Sequence, residues 1–247
     1  MSVIYINPYA FYDTDAQAYI SAVETEDGQG LEDGVKNAIN SFVLGCKADG
    51  IWSAIKASCI LAGARTLSGA LVPLVGPTPT NNNFVSGDYN RKTGLVGNGS
   101  TKSLDTNQNN NTAPQDSSHN SVYISTLGTG VILSIIAAST ASNGSNTLQP
   151  PVCRNRSSVA FSLTAVAGFY GSSRSNSSNF LVRNGGTTST ASIASQTPFD
   201  AIIRLFGSNT ASGTHRIPFY SVGESLDIAL LDARVTALIT AYAAAIP

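Results

Sequence analysis

The sequence predicts a mainly β protein: an antiparallel jelly-roll sandwich, preceded by a helical N-terminal region and closed by a C-terminal helix. Three observations carry this. From residue 84 onward, short β-branched and aromatic runs alternate with Gly, Asn, Ser and Pro turn signals. Before residue 76, apolar residues recur with helical spacing instead. The last strand-like run, RIPFY, passes into SVGESLDIALLDARVTALITAY, whose apolar residues again fall on one helix face.

Each element follows from its local pattern. DAQAYISAVETED predicts a first helix with Thr14 as N-cap, ending before Gly28 and Gly30. In LEDGVKNAINSFVLGCKADG, the residues Leu31, Val35, Ala38, Ile39, Phe42 and Cys46 form one face of a second helix, which Ala48-Asp49-Gly50 ends. Ile51, Trp52, Ile55, Cys59 and Ala62 suggest a further helix packed on it as a hairpin. GPTPTNNNF, residues 76–84, combines prolines with an Asn run and marks a boundary. The expected division is therefore 1–75 helical docking region, 76–83 linker and 84–247 sandwich with its closing helix. Strands are expected in FVSGDYNRKTGLVGNGSTKSLDTN, HNSVYISTLG, VILSIIAAST, SSVAFSLTAVAGFYG, NFLVRNG and FDAIIRLFGS, with a turn at Asn184-Gly185-Gly186. For the closing helix, Ser221 and Glu224 are placed as a capping box and Gly223 eases the exit from the last strand. Its stripe, Leu231, Val235, Leu238, Ile239 and Tyr242, must be buried: on an outer sheet face, on the N-terminal helices, or on another subunit. With Phe42 and Trp52, these are the candidate interface residues.

Composition narrows the class. With 42% hydrophobic residues over 247 positions the chain can bury a real core, yet only 12% of residues are charged and Ser, Thr, Asn and Gly supply the polarity. That balance suits an extracellular or virion β protein better than a cytosolic helical enzyme. The net charge of −1 gives no reason to expect nucleic acid as a partner. Residues 1–50 hold eight acids and two bases, whereas the remainder holds seven acids and twelve bases. Arg154, Arg156, Arg174, Arg183, Arg204 and Arg216 lie in a stretch where Asp200 is the only acid, which reads as a solvated loop surface or as a groove for an acidic or glycan partner. Cys46, Cys59 and Cys153 are odd in number, without a CxxC pair, and imply no disulfide. MSVIYINPYAFYD lacks the basic start and apolar run of a signal peptide, so synthesis in a cytoplasm is expected. No continuous apolar stretch is expected to span a membrane: the closest, CILAGARTLSGALVPLVG, is interrupted by Arg65 and Pro73.

DYNRKTGLVGNGSTKSLDTN, residues 88–107, resembles the opening of a laminin-G-like, concanavalin-A-like sandwich, in which a strand carries GxxGNGSTKYL. Residues 217–239, with FYSVGESL before a helix, resemble the close of that domain in bacteriophage and prophage proteins. KADGIWSAIKASCILAGARTLSGALVPL, residues 47–74, is similar to the segment preceding it in tailed-phage virion and tail-fibre-like proteins. The resemblance covers about residues 84–245 and implies a structural or adhesive virion protein, often a homotrimer, made in the host cytoplasm and partnered by other virion proteins.

Tests for chemistry give little. Glycoside hydrolysis needs two carboxylates across a groove, and no ExDxxE motif occurs. Glu224 and Asp227 read as helix-capping residues. There is no GxSxG elbow; His119 and His215 are the only imidazoles, and His119 beside serines reads as coincidence. His and Cys lack zinc-ligand spacing, and GLVGNGS and LGTGVIL complete no phosphate-binding motif. Asp88, Asp105 and Asn107 are calcium ligands by type, or turn-forming residues. No cofactor is expected. Phe169 and Tyr170 beside Arg174, in VAGFYGSSRSNSSNF, suggest an exposed loop-tip site, with Tyr170 and Arg174 as ligand-binding candidates; core packing of a ring is the alternative. The expected function is a non-enzymatic phage virion protein, tail fibre or tail-associated, with a capsid decoration or head-fibre protein and a host-glycan adhesion module as alternatives.

Overall fold

The computed structural model describes residues 12–129, 133–135, 144–149, 151–164, 166–207 and 213–247. Most of the expected strand VILSIIAAST and the first residues of the chain lie outside these. In chain order the elements are α1 (Thr14–Asp27), α2 (Asp33–Ala48), β1 (Ile55–Ile60), α3 (Leu67–Ala70), β2 (Pro73–Val75), β3 (Thr80–Asn82), β4 (Tyr89–Asn90), β5 (Gly94–Val96) and β6 (Ser103–Asn109). They continue with β7 (Ser118–Ile124), β8 (Leu133–Ile135), β9 (Thr147–Gln149), β10 (Val152–Arg154), β11 (Phe161–Ser162), β12 (Gly168–Arg174), β13 (Phe180–Asn184) and β14 (Thr187–Ala191). The chain ends with β15 (Ile202–Leu205), β16 (Arg216–Ile217), β17 (Phe219–Gly223) and α4 (Ile228–Ala245).

Among the described residues, two antiparallel seven-stranded sheets form, in the orders β14-β13-β12-β7-β17-β1-β2 and β11-β10-β9-β8-β15-β6-β3, beside a small β16-β5-β4 sheet. The mainly β sandwich with helices before and after it is thus the fold. The central strands of the first sheet, β12, β7, β17 and β1, are buried on both faces, and period-two alternation decides what each face receives. On β7, β12 and β17, Val122, Ile124, Tyr170, Tyr220 and Val222 point into the space between the sheets. Phe169 and Phe219 point the other way, into a second core shared with the helices. The molecule therefore has three layers: helices, first sheet, second sheet.

That arrangement corrects the third expected helix. Residues 51–62 contain a single 3-10 turn at Trp52–Ala54 and then strand β1, paired between β17 and β2. A strand buried on both faces carries apolar residues almost continuously, so IKASCILA shows no alternation that would separate it from a buried helix. β1 and β2 join the first sheet, and Thr80–Asn82 pair with β6 in the second. Segments placed in the expected helical region and linker thus supply strands to both sheets.

The helical layer is tied down by few, specific contacts. Asp13, rather than Thr14, caps α1 by accepting from the Asp15 amide. Asp27 at the end of α1 accepts from the amides of Arg65 and Thr66 and from the Thr66 hydroxyl. A Cβ on Gly69 would lie 2.2 Å from an Asp27 oxygen, so this clip requires glycine there. Glu32 receives both guanidinium nitrogens of Arg91 and one of Arg65, and Arg91 holds its carboxyl down to about 2. Arg234 on α4 grips Asp49, just past α2, in a two-pronged pair at 2.7 and 2.8 Å.

Candidate functional site

The structure first relocates the residues singled out in the sequence. Tyr170 and Arg174 sit on β12, not at a loop tip, and both are 0% exposed. Their parity on the strand turns them into the sandwich, where the Tyr170 hydroxyl donates to the Val152 carbonyl at 3.1 Å. Arg174 donates to the carbonyls of Asn155, Asn176, Asn179 and Ile193 and stacks on Phe180 at 5.1 Å. It closes three chain segments around one guanidinium. The exposed binding site expected at these residues is therefore corrected to a buried structural one, because FYGSSR continues a strand where glycine and serine suggested a loop.

The interface candidates are likewise internal. Leu231, Val235, Leu238, Ile239, Tyr242 and Phe42 are buried in the core between the helices and the first sheet. Phe42 meets Phe219 edge to face at 5.7 Å. Two of the three expected burial modes of the α4 stripe operate together: it covers an outer sheet face and packs on α2. Trp52 is half-buried against the same core, its indole N–H donating to Asp15 and its ring 5.9 Å from the Lys47 ammonium. By length and composition alone α4 could cross a membrane, against the expectation that no stretch is long and apolar enough, but its apolar face is spent on these contacts. The helix starts later than expected: Asp227 is the N-cap, accepting from the amides of Ala229 and Leu230, while Ser221 lies inside β17.

The oxygen-rich calcium candidates are already satisfied. Asp88 accepts from the Val85 amide and the Lys102 ammonium, and Asp105 is paired with Arg204. Asn107, at φ +55°, donates to the Thr78 carbonyl and the Thr80 hydroxyl. These are the turn and ion-pair roles of the alternative reading. Among the described residues no cluster of three or more His, Cys, Asp or Glu is placed to hold a metal.

His119 is not incidental. On β7 its Nδ1–H donates to the Glu224 carbonyl at 2.6 Å, which leaves Nε2 to accept from the Ser221 hydroxyl at 2.7 Å. Burial holds the ring neutral, lowering its pKa from the ordinary 6.5 to about 4. Ser221 and His119 have the spacing of a nucleophile and base, but Nδ1 faces a carbonyl rather than a carboxylate, and both residues are sealed from solvent. The pair ties β7, β17 and the entrance to α4 together.

An open groove of about 610 Å³ lies where α4 crosses the outer face of the first sheet, lined by Tyr123, Phe169, Arg183, Gly185, Gly186, Asp232 and Thr236 among others. Strand parity delivers its aromatic: Tyr123 faces opposite to Val122 and Ile124, towards the helical layer, and is half-buried. Burial, then the nearby Asp232 charge, raises the Tyr123 phenol above its ordinary pKa, so it is an uncharged donor at neutral pH. Arg183 Nε donates to Asp232 at 2.7 Å, and the other Asp232 oxygen accepts from Thr236, one turn along α4. Gly185 and Gly186, at φ +55° and +77°, form the two-residue turn joining β13 to β14 and bring bare backbone to the rim. The site offers an aromatic surface, a fixed planar ion pair, hydroxyls and backbone. Of this, the Asn184-Gly185-Gly186 turn was legible in the sequence; the pairing of Arg183 with Asp232, 49 residues apart, was not.

No protein-family model matches the chain, and no curated protein sequence matches it. Solved structures with some likeness include the binding domain of botulinum neurotoxin DC in complex with rat synaptotagmin II, at 14% identity and TM-score 0.47, covering 75% of this chain and 52% of that one. Domain 4 of AbnA, an extracellular GH43 arabinanase from Geobacillus stearothermophilus, in complex with arabinotriose, has 12% identity and TM-score 0.39, over 65% of this chain and 82% of that one. An HCR/D mutant has 12% identity and TM-score 0.45, over 74% and 50%. This chain thus spans about half the length of the neurotoxin structure. With these three TM-scores below 0.5, the sandwich assignment stands on the strand order itself.

Proposed function

We propose that this protein is a structural component of a tailed-bacteriophage virion, displayed as a β-sandwich adhesion module that binds a host surface glycan in the groove beneath α4. The observation that carries the binding reading is that groove: an aromatic surface beside a rigid Arg183–Asp232 pair and an exposed Gly185-Gly186 backbone. Sugar rings present apolar faces that lie on an aromatic and hydroxyls that pair with planar ionic groups, so this chemistry suits a saccharide better than an apolar ligand. The reading is of a binder rather than a hydrolase because the groove's one carboxylate, Asp232, is held by Arg183 and has no second carboxylate facing it among the described lining residues. The virion setting rests on the resemblance of residues 47–74 and 217–239 to phage proteins.

A glycan array probed with the wild-type protein and with Tyr123→Ala tests the binding reading: retained signals in the wild type, lost in the variant, support it, and a blank array contradicts it. Mass spectrometry of gradient-purified particles tests the virion setting, which fails if the chain is absent from intact virions. Immunogold labelling separates a tail fibre from a capsid decoration or head-fibre position. Self-association as a homotrimer belongs to the same proposal and is read by sedimentation equilibrium.

A further inference from the structure

Between the two sheets, at the end of β7 away from the groove, lies a small cavity of about 10 Å³, room for the centre of one water-sized sphere. Asn110, His119, Asn120, Asn146 and Arg156 line it with others. Its hydrogen bonding is lopsided. Asn146 Nδ2 donates to the side-chain oxygens of Asn110 and Asn120, at 2.7 and 3.2 Å, and Asn146 Oδ1 accepts the Arg156 amide. Asn110 Nδ2 is taken by the carbonyls of Gly144 and Phe199. Those bonds fix how the amides point, each side-chain oxygen taking one donor. Asn120 Nδ2 is left over with no partner, and so are Nε and Nη1 of Arg156.

Arg156 is the more demanding of the two. It is 2% exposed, no carboxylate pairs with it among the described residues, and its guanidinium makes one long bond, from Nη2 to the Ala113 carbonyl at 3.3 Å. Its backbone sits at φ +55°, a conformation that L residues adopt at a cost and that is held here by the Asn146 bond to its amide. Burial and the neighbouring Arg174 charge lower its pKa to about 10, so it remains a cation at neutral pH. A buried cation without a counter-charge costs several kcal/mol. A water would accept from two of the unfilled donors and give its hydrogens to the remaining lone pairs of the amide oxygens, but it would leave the guanidinium without a counter-charge.

We propose that Arg156 and Asn120 hold a single buried monovalent anion of chloride size in this cavity, as a structural ion that locks the polar end of the sandwich. A halide accepts from donors of this kind and, unlike a water, neutralises the guanidinium. The test is growth of crystals from protein purified and refolded in bromide. An anomalous peak between Arg156 and Asn120 is the expected result. In solution, the wild type should melt several degrees higher in chloride or bromide than in gluconate at equal ionic strength. Asn120→Asp, which supplies its own carboxylate to Arg156, should stay folded and lose that halide dependence, removing general salt effects from the comparison. A cavity holding only a water, with no anomalous signal, or a halide dependence unchanged in Asn120→Asp, overturns the proposal.

Discussion

Strand β7 runs through two different interiors. Its second half, Val122-Tyr123-Ile124, pairs with Phe169 and Phe219 on neighbouring strands and sits between apolar layers. Its first half, Ser118-His119-Asn120-Ser121, is equally buried but entirely polar, facing Ser172, Ser173, Arg174 and Ser221. One end is held by apolar area, which is non-directional and tolerant of pH. The other is held by directional hydrogen bonds, where each partner removed strands another buried group. The same sheet thus carries a robust end, next to the groove, and a condition-sensitive end, next to the cavity.

Substitutions separate the two ends by size and by kind. The largest effect belongs to the apolar end: Val235→Asp places an unpaired charge in the helix-to-sheet core, and a loss of more than about 4 kcal/mol should leave no cooperative thermal transition by circular dichroism. At the polar end, Arg174→Met strands the carbonyls of Asn155, Asn176, Asn179 and Ile193, and a loss of about 4 kcal/mol is expected in urea titration. A loss below about 1 kcal/mol would remove the contrast with a surface arginine.

Acid should discriminate the ends most cleanly. Below pH 6.5 the unfolded chain protonates His119, while the folded protein refuses that proton until about pH 4. Stability from His119 is therefore full above pH 6.5, falls as the pH drops to about 4, and is lower there by roughly 3 kcal/mol. His119→Gln should flatten that segment of the stability profile. Ser221→Ala, which removes one donor to Nε2, should cost about 1 kcal/mol and leave the groove intact. The smallest effect is chemical: Cys46, Cys59 and Cys153 are buried and free, with thiols pushed up to about 12, so a thiol reagent should label the native protein far more slowly than the unfolded one.

How much of this was legible follows the same division. The sandwich, α1, α2 and the α4 stripe were readable because their apolar periodicities survive in the sequence, and so was the Asn184-Gly185-Gly186 turn. β1 was read as a helix because burial on both faces erases alternation. The Arg174 segment is hidden for a converse reason: GSSR looks like a loop by composition, and only strand register shows that Arg174 points into the sandwich. The groove depends on Tyr123, Arg183 and Asp232 meeting from three separate elements, a juxtaposition that no local pattern encodes.

The central claim is that recognition occurs at the apolar end, beneath α4, and not at Tyr170 and Arg174. It is tested most directly by titrating isotopically labelled protein with oligosaccharides released from host surface polysaccharide and following amide chemical shifts. The account predicts saturable shifts confined to Tyr123, Arg183, Gly185, Gly186 and Thr236, abolished by Tyr123→Ala. Shifts clustered instead around residues 174–179, or none at any concentration, would contradict it.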